Sequence, residues 1–486
     1  MELPHFRIPG PPAPARPLVE GSGFDVTKRI VRPDGELRQV RSVGFPVIDD
    51  GKLKTIVGEE LPGRHAFADA ISEILEGSKT HEYRREGSYF MNRRGFLQLL
   101  GATGAAALTA SCNRINSVTG TLSNPADLVR FPEKAELILL TDRPPQLETP
   151  LHYFRQDLTP NEAFFVRWHL EGVPTSVDLR TFRLNVSGHV RQPSQLSMDE
   201  LRSQFEPISI IAVNQCSGNS RSFFEPRVPG GQWKHGAVGN AKWTGVPLKS
   251  ILDRAQVKSG AVDVSFNGLD APLLPSVSDF VKSLSIDHAR DGEAMIAYAM
   301  NDQPLPMVNG FPLRLVVPGW YGTYWVKALS DITVLPHVFS NFWTDKAYRI
   351  PNGPNGTESP KDLAKDTVPI NRFNVRSISV RPDPDETLHP GMPNEIEGIA
   401  FDSGYGIKRV EVSTDGGATW ADARLDSEIG KYSWRRWRAS WTPRNRGQYR
   451  LMARATNAMG ETQSKEQWNR SGFMWNVIQQ VDVKVA

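Results

Sequence analysis

An α+β domain followed by an immunoglobulin-like β-sandwich is the fold class predicted from the sequence, and three observations carry it. Residues 120–350 mix short apolar strands with helical pieces. The stretch from Pro351 to Pro369, PNGPNGTESPKDLAKDTVP, is rich in Pro, Gly and Asn and has no periodicity. From Ile370 onward the pattern turns to alternating strands (FNVRSISV, IKRVEVS, YRLMARAT, QVDVKV) with turn signals such as Asp415-Gly416-Gly417 and no convincing helix. The expected division is a domain over 120–350, a linker over 351–369 and a sandwich over 370–486.

Each element has a local reason. Ser197-Met198-Asp199-Glu200 has the spacing of a capping box, in which the serine and the glutamate satisfy each other's backbone donors at a helix start. Pro247 to Ala255 places Leu248, Ile251 and Leu252 on one helical face. The sandwich has tryptophans but no cysteine, so its core is expected to pack without an inter-sheet disulfide.

Composition narrows the function classes. The 486 residues include 57 Lys+Arg against 54 Asp+Glu, a formal net charge of +3, too small and too dispersed for a nucleic-acid groove or a polybasic membrane patch. Two cysteines make neither a disulfide framework nor a four-cysteine zinc site, and no CxxCH is present to attach a c-type haem. The longest apolar run, Phe96 to Ala110, falls short of the roughly 18 residues that span a bilayer.

That run belongs to a different device. From Met91 the chain reads MNRRGFLQLLGATGAAALTASC: two arginines, an alanine-rich apolar stretch, then small residues. This is the layout of an export signal over 91–112, and Arg93-Arg94 before Gly95-Phe96-Leu97 is similar to the twin-arginine type, which carries folded proteins. Cys112 lacks the leucine three places earlier that lipidation expects, so ordinary cleavage is predicted. A signal starting 90 residues in makes residues 1–90 a non-native or vestigial extension, with the native start at Met91. Within it, residues 24–58 alternate around Pro33-Asp34-Gly35 and Asp49-Asp50-Gly51 and resemble the closing strands of a PAS sensor domain. Phe67, Ile71, Ile74 and Leu75 follow at helical spacing.

The chemically informative segment is Ala212 to Leu252. Cys216 follows the apolar run Ile210 to Val213 and precedes Ser-Gly-Asn-Ser-Arg, so a strand is expected to end where small residues and a cation surround the sulfur. Such surroundings favour thiolate, the form that binds a soft metal. A buried core cysteine and a cysteine nucleophile are the alternatives, and spacing alone does not decide among the three.

Four blocks in order, QCSGNSR, GAVGNAKWTGVPL, NGFPLRLVVPGWYGTYWVK and FWTDKAYRIP, resemble the sulfite oxidase family of molybdenum enzymes, and among its members the molybdenum subunit of bacterial periplasmic sulfite dehydrogenases. The likeness runs from about Asp142 to the C-terminus. It implies a molybdopterin-binding catalytic domain over 120–350 and a dimerising sandwich over 370–486, with Cys216 as the thiolate ligand of molybdenum. Arg167 in FFVRWH, Arg221 five residues past the cysteine, and Arg435 in WRRW match arginines of an oxyanion pocket. Trp233 in QWKHGA and Tyr348 in KAYR match its aromatic donors. Phe165, Arg167, His169, Asp270, Arg314 and Trp325-Val326-Lys327 match residues that anchor the pterin and its phosphate. Two departures stand out: Trp168 replaces the asparagine of animal sulfite oxidases, and Asn309 replaces their histidine.

The resemblance implies oxygen-atom transfer to sulfite, with electrons leaving for a separate periplasmic cytochrome c and with a homodimer as the assembly. Three rival readings stand beside it: a sulfane dehydrogenase subunit of a thiosulfate-oxidising system, a periplasmic methionine-sulfoxide reductase, and a secreted β-sandwich binding or sensory protein that needs no molybdenum.

Overall fold

The computed structural model describes residues 133–486 apart from 384 and 385, together with the backbone of the strands Phe24–Val31, Leu37–Asp49, Lys52–Glu60 and Leu128–Val129. The export signal expected over 91–112 and the helical spacing from Phe67 to Leu75 lie outside the described residues. The chain divides into two compact units, Met1–Val118 and Thr119–Ala486. In the first, the three strands join as consecutive antiparallel pairs, Phe24 opposite Gly44 and Arg41 opposite Glu60.

In the second unit the N-terminal half is built on two five-stranded sheets. One carries Ile208–Gln215, Val238–Pro247 and Met295–Met300 in that order, all antiparallel, with Gln303–Pro304 and Arg314–Val316 both paired to the third. The other runs Lys282–Ser285, Asp263–Gly268, Leu329–Leu335, Leu184–Gly188, Ser194–Leu196, with one parallel pair between Leu329–Leu335 and Leu184–Gly188. A smaller sheet pairs Pro145–Glu148 with Val166–Arg167, placing Gln146 opposite Arg167.

Helices are few and short. Met198–Ser203 starts at the expected capping box, with Ser197 and Glu200 satisfying each other's backbone N–H. Leu248–Ala255 buries Leu248, Ile251, Leu252 and Ala255, the face foreseen from spacing. Both buried faces join one large apolar cluster that also takes in Trp243, Trp325 and Phe266.

The C-terminal half is β-rich. A four-stranded sheet (Arg376–Arg381, Asn394–Phe401, Arg435–Trp441, Arg424–Leu425) and a five-stranded one (Thr387–Leu388, Gln479–Val485, Gly447–Asn457, Ile407–Ser413, Ala421–Asp422) share a core of Trp437, Val410, Ala455, Leu451 and Val483. Ile378, Ile399, Phe401, Trp434 and Phe473 instead join the core of the N-terminal half, so the halves are packed through continuous apolar surface. The Pro351–Pro369 stretch is not left loose: Arg349–Pro351 pairs with Thr367–Pro369, and buried Glu358 takes an ion pair at 2.5 Å from Arg470.

Candidate active site

The strand Ile208–Gln215 ends one residue before Cys216, whose N–H donates to Ala237 O at 2.9 Å. A tight turn follows, with Asn219 N–H donating to Cys216 O and Arg221 N–H to Gly218 O, each at 3.0 Å. Cys216 thereby joins the wall of a narrow, partly enclosed cavity. Arg167, Arg314 and Lys327 supply its charge, and no Asp or Glu lines it among the described residues. Phe165, His169 and Tyr348 complete the set of predicted residues on its wall.

Burial governs the protonation of these groups. Desolvation pushes the Lys327 ammonium down to about 7, with Arg314 adding to the effect and Asp270 opposing it. Lys327 lies 4.6 Å over the ring of Trp168, so the tryptophan that departs from the animal enzymes serves as an apolar and cation–π support, its Nε1 donating to Val308 O at 2.8 Å. Desolvation also lowers Arg314 to about 9, and its guanidinium sits beside Trp243 and Trp325, at 5.2 and 5.8 Å. His169 is held well below the usual imidazole range, first by burial and then by Arg167, Lys327 and Lys282. Its neutral ring stacks on Phe280 at 3.7 Å, and its Nε2 shares a hydrogen bond with the hydroxyl of Tyr348.

Other predicted residues stand one layer back. Asp270 is buried behind Lys327, its carboxyl raised to about 6 by desolvation against the pull of that lysine. Trp325 backs Arg314 and gives its Nε1 to Trp320 O at 3.0 Å, and the amide of Val326 is spent on Tyr324 O. Trp233 is buried against the edge of Phe165 rather than on the cavity wall. Arg221 is gripped from behind, donating to Gly472 O at 3.2 Å and to Ser471 O and Gly231 O at 3.3 Å. Burial lowers its guanidinium from the ordinary arginine value, and the neighbouring Arg167 adds to that effect.

Arg435 requires a correction. It lies on the strand Arg435–Trp441 opposite Ala400, and its guanidinium donates to Asp426 O at 2.6 Å and Ile407 O at 3.1 Å. Those carbonyls belong to the C-terminal half, and Arg435 is not brought to the cavity. The C-terminal half reaches the site instead through Ser471, Gly472 and Phe473, the last stacked on Tyr348 at 5.2 Å.

Several wall residues were missed in the sequence reading. Asn214, Ser217 and Thr323 line the cavity, and Asn309, known only as a departure, is a strut of it. Its Nδ2 donates to Phe165 O at 3.1 Å, its carbonyl accepts from Arg314 at 2.9 Å, and its Oδ1 accepts from Lys134. Lys134 also donates to Asn161 O at 2.6 Å and Phe164 O at 3.0 Å. The periodicity-two signal of an inward polar residue after a strand would have pointed to Ser217; nothing local marks Lys134.

A polar, anionic cofactor fits this cation-rich wall. Asn214 Nδ2, Ser217 Oγ and Arg314 Nε are all buried there without a protein partner among the described residues. Buried donors are ordinarily satisfied, so a cluster of orphans aimed at one cavity calls for a ligand rich in acceptors. The other ligand-type cluster, His288, Asp291 and Glu293, shares no residue with the cavity, and Glu293 is already held by Lys431 at 2.9 Å and Arg372 at 3.6 Å.

Fold and site together define a molybdopterin-binding oxidoreductase. Residues 169–343 match the model of the oxidoreductase molybdopterin binding domain, and 367–486 that of the Mo-co oxidoreductase dimerisation domain. Mitochondrial sulfite oxidases of Macaca fascicularis and Homo sapiens are each 33% identical over 379 residues, covering 74% of this chain and 67% of theirs. The crystal structure of the sulfane dehydrogenase SoxCD from Paracoccus pantotrophus superposes with a TM-score of 0.63 at 23% identity, over 76% of this chain and 94% of that one, a likeness of fold. The chain belongs to the sulfite oxidase family. Among the described residues, no helix is long and apolar enough to cross a membrane.

Proposed function

We propose that the protein oxidises sulfite to sulfate and passes the electrons to a separate cytochrome c, in the periplasm after twin-arginine export. The observation that carries this reading is the cavity beside Cys216, with the basic side chains Arg167, Arg314 and Lys327 on its wall, Arg221 behind it and no carboxylate among the described lining residues. Such a field favours a small doubly charged anion over a neutral sulfoxide or thiol. When bound, the molybdenum cofactor supplies a transferable oxygen and takes up two electrons.

The chain's own residues do the rest. Cys216 holds the metal as thiolate, while Arg314, Lys327 and the orphaned donors of Asn214 and Ser217 hold the pterin and its phosphate. Arg167 and Arg221 draw in and orient the anion through charge-assisted hydrogen bonds. Burial raises the Tyr348 phenol, so its hydroxyl stays protonated and has one hydrogen to give a substrate oxygen while neutral His169 fixes its direction. The two-sheet C-terminal half is read as an immunoglobulin-like sandwich that joins two copies as a homodimer.

The test is a substrate comparison on protein purified from a molybdenum-replete host. Cytochrome c reduction driven by sulfite, with molybdenum near one atom per chain, is the expected outcome. Faster turnover with a sulfane-bearing thiol, or reduction of methionine sulfoxide in its place, would reassign the substrate. Protein without molybdenum would return the chain to the binding or sensory reading.

A further inference from the structure

Behind the turn that carries Cys216 lies a second polar cluster that the proposed chemistry does not use. Arg376, on the strand Arg376–Arg381 of the C-terminal half, is 2% exposed and has no carboxylate partner among the described residues. It donates instead to the Oγ of Ser220 and lies 3.0 Å from His235 Nδ1, and its second terminal nitrogen has no partner. Ser220 Oγ is 2.7 Å from the same imidazole nitrogen.

The hydrogen-bond chemistry orders this trio in one way. A guanidinium only donates, so the serine oxygen accepts from Arg376, and because the same guanidinium nitrogen also faces His235 Nδ1, that ring nitrogen carries no hydrogen and accepts the serine's. His235 Nδ1 is therefore an acceptor, and the ring is neutral with its hydrogen on Nε2. Burial and the neighbouring Arg376 and Lys234 hold the imidazole in that form, and Phe223 stacks on its face at 4.5 Å.

Ser220 is also the residue that needs holding. It has φ +71°, a left-handed conformation that a non-glycine residue keeps only when its surroundings impose it. It lies between Asn219, whose N–H donates to Cys216 O, and Arg221, whose N–H donates to Gly218 O. Relaxing Ser220 would rotate the peptide units that aim both the thiol and the guanidinium.

We propose that Arg376 is a positioning residue for the Cys216–Arg221 turn, acting through Ser220 and neutral His235, so that the C-terminal half completes the metal site within a single chain. An uncompensated buried cation is costly, and its retention at this spot is explained by the conformation it imposes.

The test uses the cofactor-loaded enzyme and reads the metal rather than turnover. The g-values of the half-reduced molybdenum signal in electron paramagnetic resonance depend on the orientation of the ligating sulfur. Arg376→Gln and Ser220→Ala are each expected to shift those values in the same direction. The double variant should move no further than the larger single shift, and Arg376→Lys should restore part of it. Unchanged g-values in Arg376→Gln, even with a lowered melting temperature, would reduce the residue to a packing role and overturn the proposal. Shifts that add in the double variant would overturn the relay through Ser220. Should Arg376→Gln fail to fold, Ser220→Ala decides alone: an unaltered signal rejects the proposal.

Discussion

The guanidinium carbon of Arg221 lies 5.0 Å over the ring of Phe473, and that ring is in turn stacked on Tyr348 at 5.2 Å and within 5° of parallel. One residue of the C-terminal half thus spaces a cation and a phenol that both serve the cavity. With the carbonyls of Ser471 and Gly472 holding the same guanidinium, the domain junction sets where the positive charge can be.

Arg221 and Arg435 should therefore separate on mutation. Arg221→Gln removes a charge-assisted contact and is expected to lower kcat/KM for sulfite by about 10- to 100-fold, mostly through KM. Arg435→Gln leaves the carbonyls of Asp426 and Ile407 short of a donor, costs about 1–3 kcal/mol of stability and keeps kcat/KM within about threefold. Steady-state kinetics beside thermal melts checks both, and equal kinetic losses would restore Arg435 to the pocket.

Gly218 makes room for the same side chain. A methyl group there would meet the Arg221 guanidinium at 2.6 Å, the movable end of a long side chain rather than backbone. Gly218→Ala is expected to fold with a loss of about 1 kcal/mol or less while lowering kcat/KM about tenfold. A kinetically silent variant would show that Arg221 has freedom to move.

Lys134 should act through Asn309. Lys134→Met strips a donor from Asn161 O, Phe164 O and Asn309 Oδ1 at once, loosening the wall that carries Phe165 and Arg314. The expected result is a 10- to 100-fold faster loss of pterin, the order seen for supporting residues of bound groups, followed by fluorescence of the released cofactor. Asn309→Ala in the same chain should add little; full additivity would mean that the two act apart.

Cys216→Ser exchanges a soft sulfur for a hard oxygen. Sulfite oxidation is expected to fall by at least about 100-fold, and the absorption band of the cysteine thiolate on the metal, distinct from that of the pterin sulfurs, should vanish. Retention of that band would remove Cys216 from the metal.

Stability should rise from about pH 5.5 to about pH 7.5. His169 and His235 are both held neutral in the folded chain, their values lowered below the ordinary 6.5, so the unfolded chain binds more protons as the medium turns acid. Their contribution is present above 6.5 and is lost as pH falls toward the lowered values. Lys134 and Lys327, both pushed down to about 7, act in the same direction at higher pH, while Asp270, raised to about 6, opposes only between 3.8 and 6. Chemical denaturation across this range should show the slope, and His235→Asn should flatten it. A melt that improves with acid would mean that these imidazoles are charged in the native state.

Much of the site was legible because its signals are local. Cys216 follows a strand end, whereas Arg167, His169, Arg314, Lys327 and Tyr348 were expected only from the resemblance of their short runs to the sulfite oxidase family, and the structure brings all six to one wall. Lys134 was illegible because its partner Asn309 is 175 positions away and its three acceptors include two backbone carbonyls, which no residue pattern encodes. Arg435 misled for a related reason: an arginine in a tryptophan-rich run looks the same whether its guanidinium points at a ligand or at the carbonyl of a neighbouring strand.

The chain by itself determined the two-part architecture, the capping box at Ser197, the buried face of Leu248–Ala255 and the cysteine that follows a strand, because periodicity, turn chemistry and caps act over a few residues. Only the tertiary structure decided that Arg221 is clamped by Ser471 and Gly472, that Trp168 underlies Lys327, and that Arg376 reaches Ser220 from the other half. Those contacts join residues far apart in the chain, and they exist only once the continuous apolar core has pressed the two halves together.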